Sequence, residues 1–168
     1  GRFLMTNPAY LRMLGYSSEK ELATEVSDIG AQLYAEPEDR ERFKRLVEEY
    51  GVVNNFEVRA IRKDRALIWV SLNARAVKDA KGRTVYYEGM VENITKRKLA
   101  EKNLILEKKI SDSIIDGLPG IFYLFNDQLN YVRWNRSFER VSGYSAEEIS
   151  RMKPVDFFRD EGRERVEE

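Results

Sequence analysis

The sequence contains no cysteine and no histidine among its 168 residues. Without them the chain has no disulfide, no thiolate nucleophile and no imidazole base. Zinc sites built from Cys and His, haem held by His, and Ser-His-Asp triads are therefore excluded within this chain. Paired carboxylates at a recognisable spacing in an apolar setting are also missing. We expect no catalytic residue, no metal ligand and no enzyme activity within this chain.

An excess of charge of one sign is also lacking, because 29 Lys and Arg balance 29 Asp and Glu. No basic field draws the chain onto nucleic acid or an anionic membrane, so we expect neither as a partner. No apolar run approaches the roughly 18 residues of a membrane span, and residues 1–10 lack the pattern of a targeting segment. With 42% hydrophobic residues the chain can still bury a core. These features favour a globular, cytoplasmic protein.

An internal repeat is present, in which the kernel N-x-x-[YF]-x-x-x-x-G-Y-S-x-E at residues 7–19 recurs at residues 135–147. Asn7 and Asn135 stand where they can cap the following helix. Gly15 and Gly143 follow a helical turn where the chain must reverse, which favours a positive φ. The likeness extends more loosely from residues 33–43 to residues 157–166. The sequence therefore predicts two homologous copies.

Between the two copies, apolar and polar residues alternate, which is the period of half-buried strands. One strand is predicted around Phe56, Val58 and Ala60, and a second over Ile68–Ala76. A polar turn at residues 63–65 joins them, and another turn precedes a third strand over Thr84–Ile94. The pattern indicates a three-stranded antiparallel meander.

A strongly helical segment follows from Lys96 to about Asp112, with Thr95 as its predicted N-cap. It carries a heptad stripe formed by Leu99, Asn103, Leu106 and Ile110. This stripe is a candidate seam of a parallel homodimer, in which Asn103 faces the same residue of the second copy and determines the register. Alternatively, the stripe packs back on the sheet of its own chain.

Residues 117–120, G-L-P-G, end this helix and begin a new domain. Residues 121–125 and 129–134 then predict a hairpin that leads into the second kernel.

This order of elements resembles the PAS domain family along essentially the whole chain. Residues 92–98, E-N-I-T-K-R-K, are similar to the D-I-T-x-R-K ending of PAS domains, and residues 114–121, I-I-D-G-L-P-G-I, are similar to the usual opening of the next one. The resemblance implies an α+β fold, in which a five-stranded antiparallel sheet carries helices on one face and is followed by a linker helix. It divides the chain into a PAS repeat lacking its first strand (1–95), a helical linker (96–116) and the N-terminal half of a second repeat (117–168).

The chain departs from the family pattern in two respects. Asn93 replaces the usual Asp, which keeps a hydrogen-bond acceptor but removes a charge. Both repeats are also partial. In the family's sheet the first strand lies between the second and the fifth, so the first copy would have an unpaired slot. The strands at residues 121–125 and 129–134 are candidates to fill it, within one chain or by swapping between two chains. Alternatively, the segment was simply cut within two repeats.

PAS domains use the space between their helices and the inner face of the sheet as a ligand pocket. The residues placed to line it are Tyr10, Leu14, Phe43, Val47, Phe56, Val58, Val70 and Leu72. The alternative interpretation is a filled core, which is the commoner role of apolar residues at these periods. Asn73 or Tyr87 would add polar atoms if they pointed inward, but strand alternation puts Asn73 on the outer face.

The cofactor is unknown from the sequence. Haem sensors of this family commonly use a His ligand and flavin photoreceptors of the light-oxygen-voltage subtype use a reactive Cys, and both residues are missing here. Noncovalent flavin, a small metabolite or no ligand remain open.

The resemblance implies a sensory input module of a signal-transduction protein, such as a two-component sensor histidine kinase or a diguanylate cyclase. A change at the pocket or the sheet would pass through Asn93, Ile94 and Thr95 into the linker helix and its seam. The expected partners are a second copy of the chain, an output domain of the same polypeptide and a small-molecule ligand. The alternative is a ligand-free module for dimerisation or partner docking.

Overall fold

The computed structural model describes residues 3–157. The last part of the predicted repeat, residues 158–166, lies outside the described residues. The chain divides into two compact units, residues 1–101 and residues 102–168. One helix, α5 (Thr95–Asp116), begins in the first unit and ends in the second. Among the described helices, none is both long enough and apolar enough to cross a bilayer.

The first unit opens with four helices. They are α1 (Pro8–Leu14), α2 (Glu19–Glu25), α3 (Ile29–Leu33) and α4 (Pro37–Tyr50). The side chain of Asn7 caps α1 by accepting a hydrogen bond from the Tyr10 N–H at 2.8 Å, and Gly15 ends it with φ of 85°. Both roles were predicted for the first kernel and both are confirmed. On α4, Phe43 and Val47 lie one turn apart, so both face the sheet and are buried.

The predicted meander is confirmed as a three-stranded antiparallel sheet in the order β1-β2-β3. Its strands are β1 (Val52–Ile61), β2 (Leu67–Lys78) and β3 (Thr84–Asn93). Phe56 lies opposite Leu72, and Val58 lies opposite Val70. These side chains share one face of the sheet because residues on a strand alternate between faces. Helix α4 packs against β1 and β2 on this inner face, and α1 contributes Leu11 and Leu14 to the same core of the first unit.

The second unit contains a short hairpin followed by the second kernel. Its elements are β4 (Tyr123–Phe125), β5 (Tyr131–Trp134), α6 (Arg136–Ser142), α7 (Ala146–Ile149) and a 3-10 turn (Pro154–Phe157). Asn135 caps α6, and Gly143 ends it with φ of 78°, as the kernel predicts. The core of this unit consists of Tyr131, Phe138 and Ile149.

The α+β class with antiparallel sheet and packed helices is confirmed, but the number of strands per sheet differs from the prediction. Within residues 3–157 there is one sheet of three strands and one of two, instead of a single sheet of five. The strands β4 and β5 pair with each other in a sheet of their own. The hypothesis that they complete the meander within one chain is therefore wrong. Exchange of strands between two chains stays a prediction.

Candidate functional site

Most of the predicted pocket residues are buried together in the hydrophobic core of the first unit. Six of the eight are at most 7% exposed, namely Leu14, Phe43, Val47, Phe56, Val58 and Val70. Tyr10 and Leu72 are partly buried and pack against the same cluster. The rings of Phe43 and Phe56 lie 5.7 Å apart, so α4 and β1 are in direct side-chain contact. The structure thus brings the eight residues together as packing partners.

Polar atoms lie at the edge of this core, on residues that the sequence did not single out. Arg40 of α4 places its guanidinium 5.4 Å from the Phe43 ring and 5.7 Å from the Tyr34 ring. Burial raises the pKa of Tyr10 and of Tyr34, while the positive charge of Arg40 acts in the opposite direction on both. Arg40 was overlooked because it lies in a run of charged residues that is typical of a solvated helix face.

Of the two candidates for polar pocket atoms, one points inward and one does not. Tyr87 lies beside the core, where its hydroxyl donates a hydrogen bond to Glu48 at 2.8 Å and its ring lies 6.4 Å from that of Phe43. Asn73 uses its side-chain oxygen to accept a hydrogen bond from the Asn55 N–H at 2.8 Å. The Asn73 side chain therefore bonds to the backbone of the neighbouring strand β1, in keeping with its predicted place on the outer face.

The three predicted relay residues form a tight junction between β3 and α5. The side chain of Asn93 accepts a hydrogen bond from the Thr95 N–H at 3.0 Å, which an Asn can do without the charge of the usual Asp. Ile94 is 3% exposed and its N–H donates to the Trp69 carbonyl at 2.9 Å. Thr95 lies within the helix, and its hydroxyl oxygen accepts from the Trp69 N–H at 2.9 Å. The prediction that Thr95 is the N-cap is therefore wrong, because Thr95 is already part of the helix and its hydroxyl bonds to Trp69 of β2.

A group of charged residues beside this junction was missed by the sequence reading. Glu57 of β1 forms ion pairs with Arg97 and Lys98, each at 2.5 Å, in the first turn of α5. The Lys98 ammonium also lies 5.6 Å from the Trp69 ring. Lys98 and, less strongly, Arg97 hold the pKa of Glu57 below its usual range. A charged residue on the polar face of a strand gives no sequence signal of its partner, because that partner lies 40 residues away.

The predicted seam is exposed along α5. Leu99, Leu106 and Ile110 are 57%, 53% and 51% exposed, and Asn103 is exposed with them. No described residue of α5 is buried. The alternative in which this stripe packs back on the sheet of its own chain is therefore not the arrangement in the structure.

Two of the open grooves within the described residues are lined by none of the eight apolar and aromatic residues predicted to line the pocket. The first lies in the first unit over Asn73, Gly89 and Met90, with Val52, Asn54, Ala74, Arg75 and Glu88 around it. The second lies in the second unit and is lined by Leu104, Glu107, Lys108, Ser111, Asp112, Val132 and Arg133. Across residues 3–157, no group of three or more acidic side chains is placed to hold a metal ion.

Comparisons with known proteins match this architecture. Family models described as PAS domain match residues 1–96 and residues 111–168. No curated protein matches the chain.

Three of the similar solved structures show the range of these likenesses. A PAS domain from Colwellia psychrerythraea is 23% identical, with 54% of this chain and 75% of that chain covered and a TM-score of 0.44. A sensory box histidine kinase/response regulator from Burkholderia thailandensis E264 is 22% identical, with 61% and 76% covered and a TM-score of 0.46. The light-oxygen-voltage domain of the blue-light photoreceptor Aureochrome1 in its dark state is 17% identical, with 66% and 78% covered and a TM-score of 0.47.

Proposed function

The chain belongs to the PAS domain family, and we propose that it is an input module of a signal-transduction protein that relays a change in its first unit through α5. The observation that carries this proposal is the junction at Asn93, Ile94 and Thr95. There the last strand of the sheet continues into the helix after a single residue, and Trp69 holds both sides of the junction. A movement of β2 or β3 therefore acts directly on the start of α5.

We further propose that α5 pairs with α5 of a second copy. Apolar side chains at heptad spacing gain the hydrophobic free energy of burial only when a partner surface covers them. Leu99, Leu106 and Ile110 are more than half exposed in the single chain. Asn103 on the same stripe would pair with Asn103 of the second copy and select a parallel, in-register arrangement at a cost in stability.

The seam is tested by a pair of substitutions on the same helix. Leu106→Lys places a charge in the stripe, whereas Ile105→Lys places the same charge one residue away, at a side chain that is similarly exposed (58% against 53%). We expect Leu106→Lys to weaken dimerisation at least about tenfold. In the proposed dimer it replaces a Leu that the second helix covers with an unpaired charge. We expect Ile105→Lys to leave dimerisation within about twofold. Sedimentation equilibrium measures both.

Asn103→Leu adds a second arm to this test. Replacing a polar residue in the seam with Leu should tighten the dimer and relax its register. Equal dimer affinities for Leu106→Lys and Ile105→Lys, or no change with Asn103→Leu, would contradict the seam. A monomeric parent chain would contradict it as well.

The burial of the pocket candidates supports a ligand-free module for dimerisation or docking over a ligand-sensing one in the first unit. Val47 is 0% exposed and Leu14 is 1% exposed, which is the burial expected of side chains in a close-packed core. Native mass spectrometry of freshly purified protein distinguishes the versions. Retained mass of a small molecule would support ligand sensing, whereas a dimer without added mass would support a module for dimerisation or docking.

Two broader expectations complete the proposal. The output domain would lie in the same polypeptide, and a sensor histidine kinase or a diguanylate cyclase would suit an input module of this family. A cytoplasmic location stays a prediction.

A further inference from the structure

The two edges of the three-stranded sheet differ in how they are covered. Beside β1, Tyr34 forms an isolated bridge with Ala60, and the Ala35 N–H donates to the Arg59 carbonyl at 2.9 Å. At the opposite edge, β3 pairs with β2 alone among the described residues. This strand is 10 residues long. An uncovered edge of that length presents a row of backbone groups to which another strand can pair.

The backbone groups that face the free edge of β3 follow from the hydrogen bonds to β2. The Ile94 N–H donates to the Trp69 carbonyl of β2 at 2.9 Å, and the register continues without a shift along most of β3. Because these groups alternate in direction along a strand, the even-numbered residues of β3 bond to β2, whereas Tyr87, Gly89 and Val91 direct their N–H and C=O groups outward. In the described part of the chain, no residue accepts a hydrogen bond from these three N–H groups.

The side chains of the same residues lie on the inner face of the sheet. Val91 is opposite Leu72 of β2, and both pack against the core of the first unit. Tyr87 is also partly buried there, with its ring 6.4 Å from that of Phe43. A strand added at this edge would therefore extend the hydrophobic core as well as the hydrogen-bond ladder.

We propose that the free edge of β3 binds β3 of a second copy of this chain in antiparallel register, with Gly89 opposite Gly89 of the second copy. A two-fold pairing of this kind must be centred on a residue whose backbone groups point outward. Centring on Gly89 pairs residues 85–93 of β3, whereas centring on Tyr87 or Val91 would pair only residues 84–90 or 89–93. The pairing at Gly89 thus uses the largest part of the strand.

The side chains that meet in this register are complementary. On the inner face, Tyr87 lies opposite Val91 of the second copy, and aromatic residues pair favourably with β-branched ones across strands. On the outer face, Glu88 lies opposite Met90, and Glu92 lies opposite Tyr86. No two carboxylates are directly opposed, which would destabilise the pair. The edge of β3 therefore fits a second copy of itself.

Hydrogen exchange of single amides in the intact chain tests the pairing. On going from a dilute, monomeric sample to a concentrated one, we expect the N–H groups of Tyr87, Gly89 and Val91 to exchange at least about tenfold more slowly. Those of Glu88 and Met90 should be protected in both samples, because they bond to β2. Absence of added protection at high concentration would overturn the proposal. Protection of the three outward amides in the monomer would overturn it too, since another segment of the same chain would then cover the edge.

The register is tested by mixing isotope-labelled and unlabelled chains. In antiparallel strands, residues opposite each other without mutual hydrogen bonds have Cα atoms about 4.5 Å apart. We therefore expect an NOE between the Hα atoms of Glu88 in one copy and Met90 in the other. NOEs from β3 to residues 121–134 of the second copy would instead show that the hairpin occupies this edge, and would overturn the proposal.

Charge substitutions at Met90 provide a second test. Met90 is 78% exposed and lies beside Glu88 of the second copy in the proposed register. Met90→Lys should tighten the pairing and Met90→Glu should weaken it, each by about two- to fivefold. The readout is the protein concentration at which the Gly89 N–H becomes half protected.

Leu67 offers the matched control, because it is 51% exposed and lies at the start of β2, away from the edge of β3. Leu67→Lys and Leu67→Glu carry the same charges and should leave the half-protection concentration within about twofold of the parent. Equal effects of the two Met90 substitutions, or a matching difference between the two Leu67 substitutions, would overturn the proposed register. All variants carry Leu106→Lys, so that association through the seam of α5 contributes alike to each. A failure of the seam would leave this readout on β3 unaffected.

Discussion

The side-chain oxygen of Asn73 on β2 accepts a hydrogen bond from the backbone N–H of Asn55 on β1, at 2.8 Å. The register of the two strands shifts at this point, between Val53 and Phe56, and Asn55 has a positive φ of 53°. A bulge leaves a backbone donor without a ladder partner. Asn73 supplies that partner, so the irregularity at this place is built into the sheet.

Substitution of Asn73 tests this role. Asn73→Ala should lower the free energy of unfolding of the first unit by about 1 kcal/mol, the net worth of one such hydrogen bond. Asn54→Ala, at an exposed neighbour in the same bulge, should change it by less than about 0.5 kcal/mol. Urea unfolding followed through the amide NMR signals of residues 3–93 measures both. Equal effects of the two substitutions would show that the bulge does not depend on the Asn73 side chain.

Gly89 on β3 is predicted to tolerate no side chain. A Cβ atom there would lie 2.2 Å from the Asn73 carbonyl oxygen and 2.8 Å from the Ala74 Cα, and both are backbone atoms that cannot rotate away. We expect Gly89→Ala to destabilise the first unit by about 1–3 kcal/mol, as overpacking does. Met90→Ala is the control, because Met90 is 78% exposed. The same urea experiment gives the result, and a Gly89→Ala variant as stable as Met90→Ala would contradict the close approach.

Acid is predicted to weaken the contact between the β1-β2 turn and α2. Hydrogen bonds from Lys63 and from the Ser17 N–H lower the pKa of Glu21 to about 2. Because the folded pKa lies below the ordinary Glu value of 4.5, this stabilisation is fully present above about pH 4.5 and is lost as the pH falls toward 2. In Glu21→Gln, the fall in stability over that pH range should be smaller. Carboxyl NMR titration of Glu21 checks the cause directly, and a midpoint near 4.5 would contradict it.

The two kernel asparagines are predicted to differ in importance although they occupy the same sequence position. Asn135 is fully buried and makes four hydrogen bonds, to the N–H groups of Phe122 and Phe138 and to the carbonyls of Ile115 and Gly120. Asn135→Ala leaves several of these groups without a hydrogen-bond partner. It should lower the free energy of unfolding of the second unit by more than about 2 kcal/mol.

Asn7 offers the matched comparison. It is exposed and caps α1 with one hydrogen bond. Asn7→Ala should therefore lower the free energy of unfolding of the first unit by only about 1 kcal/mol. Amide exchange in each unit compares the two losses. Equal losses would mean that Asn135 acts as a cap alone.

Much of the fold was predictable because its signals are local. The alternation around Val58 and Val70 predicted the meander, and the Asn and Gly of each kernel predicted the helix caps with their backbone conformation. The helical pattern alone ended at about Asp112, and only the family resemblance carried the linker to residue 116, where α5 ends. Asp112 and Asp116 are held by Arg133 and Arg136 from a later strand and helix. Such contacts leave no trace in the helix's own periodicity.

By itself, the sequence determined the order and type of the elements, the repeat and the absence of Cys and His chemistry, because each depends on residue identity or short spacing. The tertiary structure alone decided that the pocket candidates are buried in one cluster, that the heptad stripe is exposed in the single chain, and that the Thr95 hydroxyl bonds to Trp69. It also decided that Glu57 meets Arg97 and Lys98. Packing and ion pairing depend on which distant surfaces meet in three dimensions, and a residue's neighbours in the chain carry no record of that meeting.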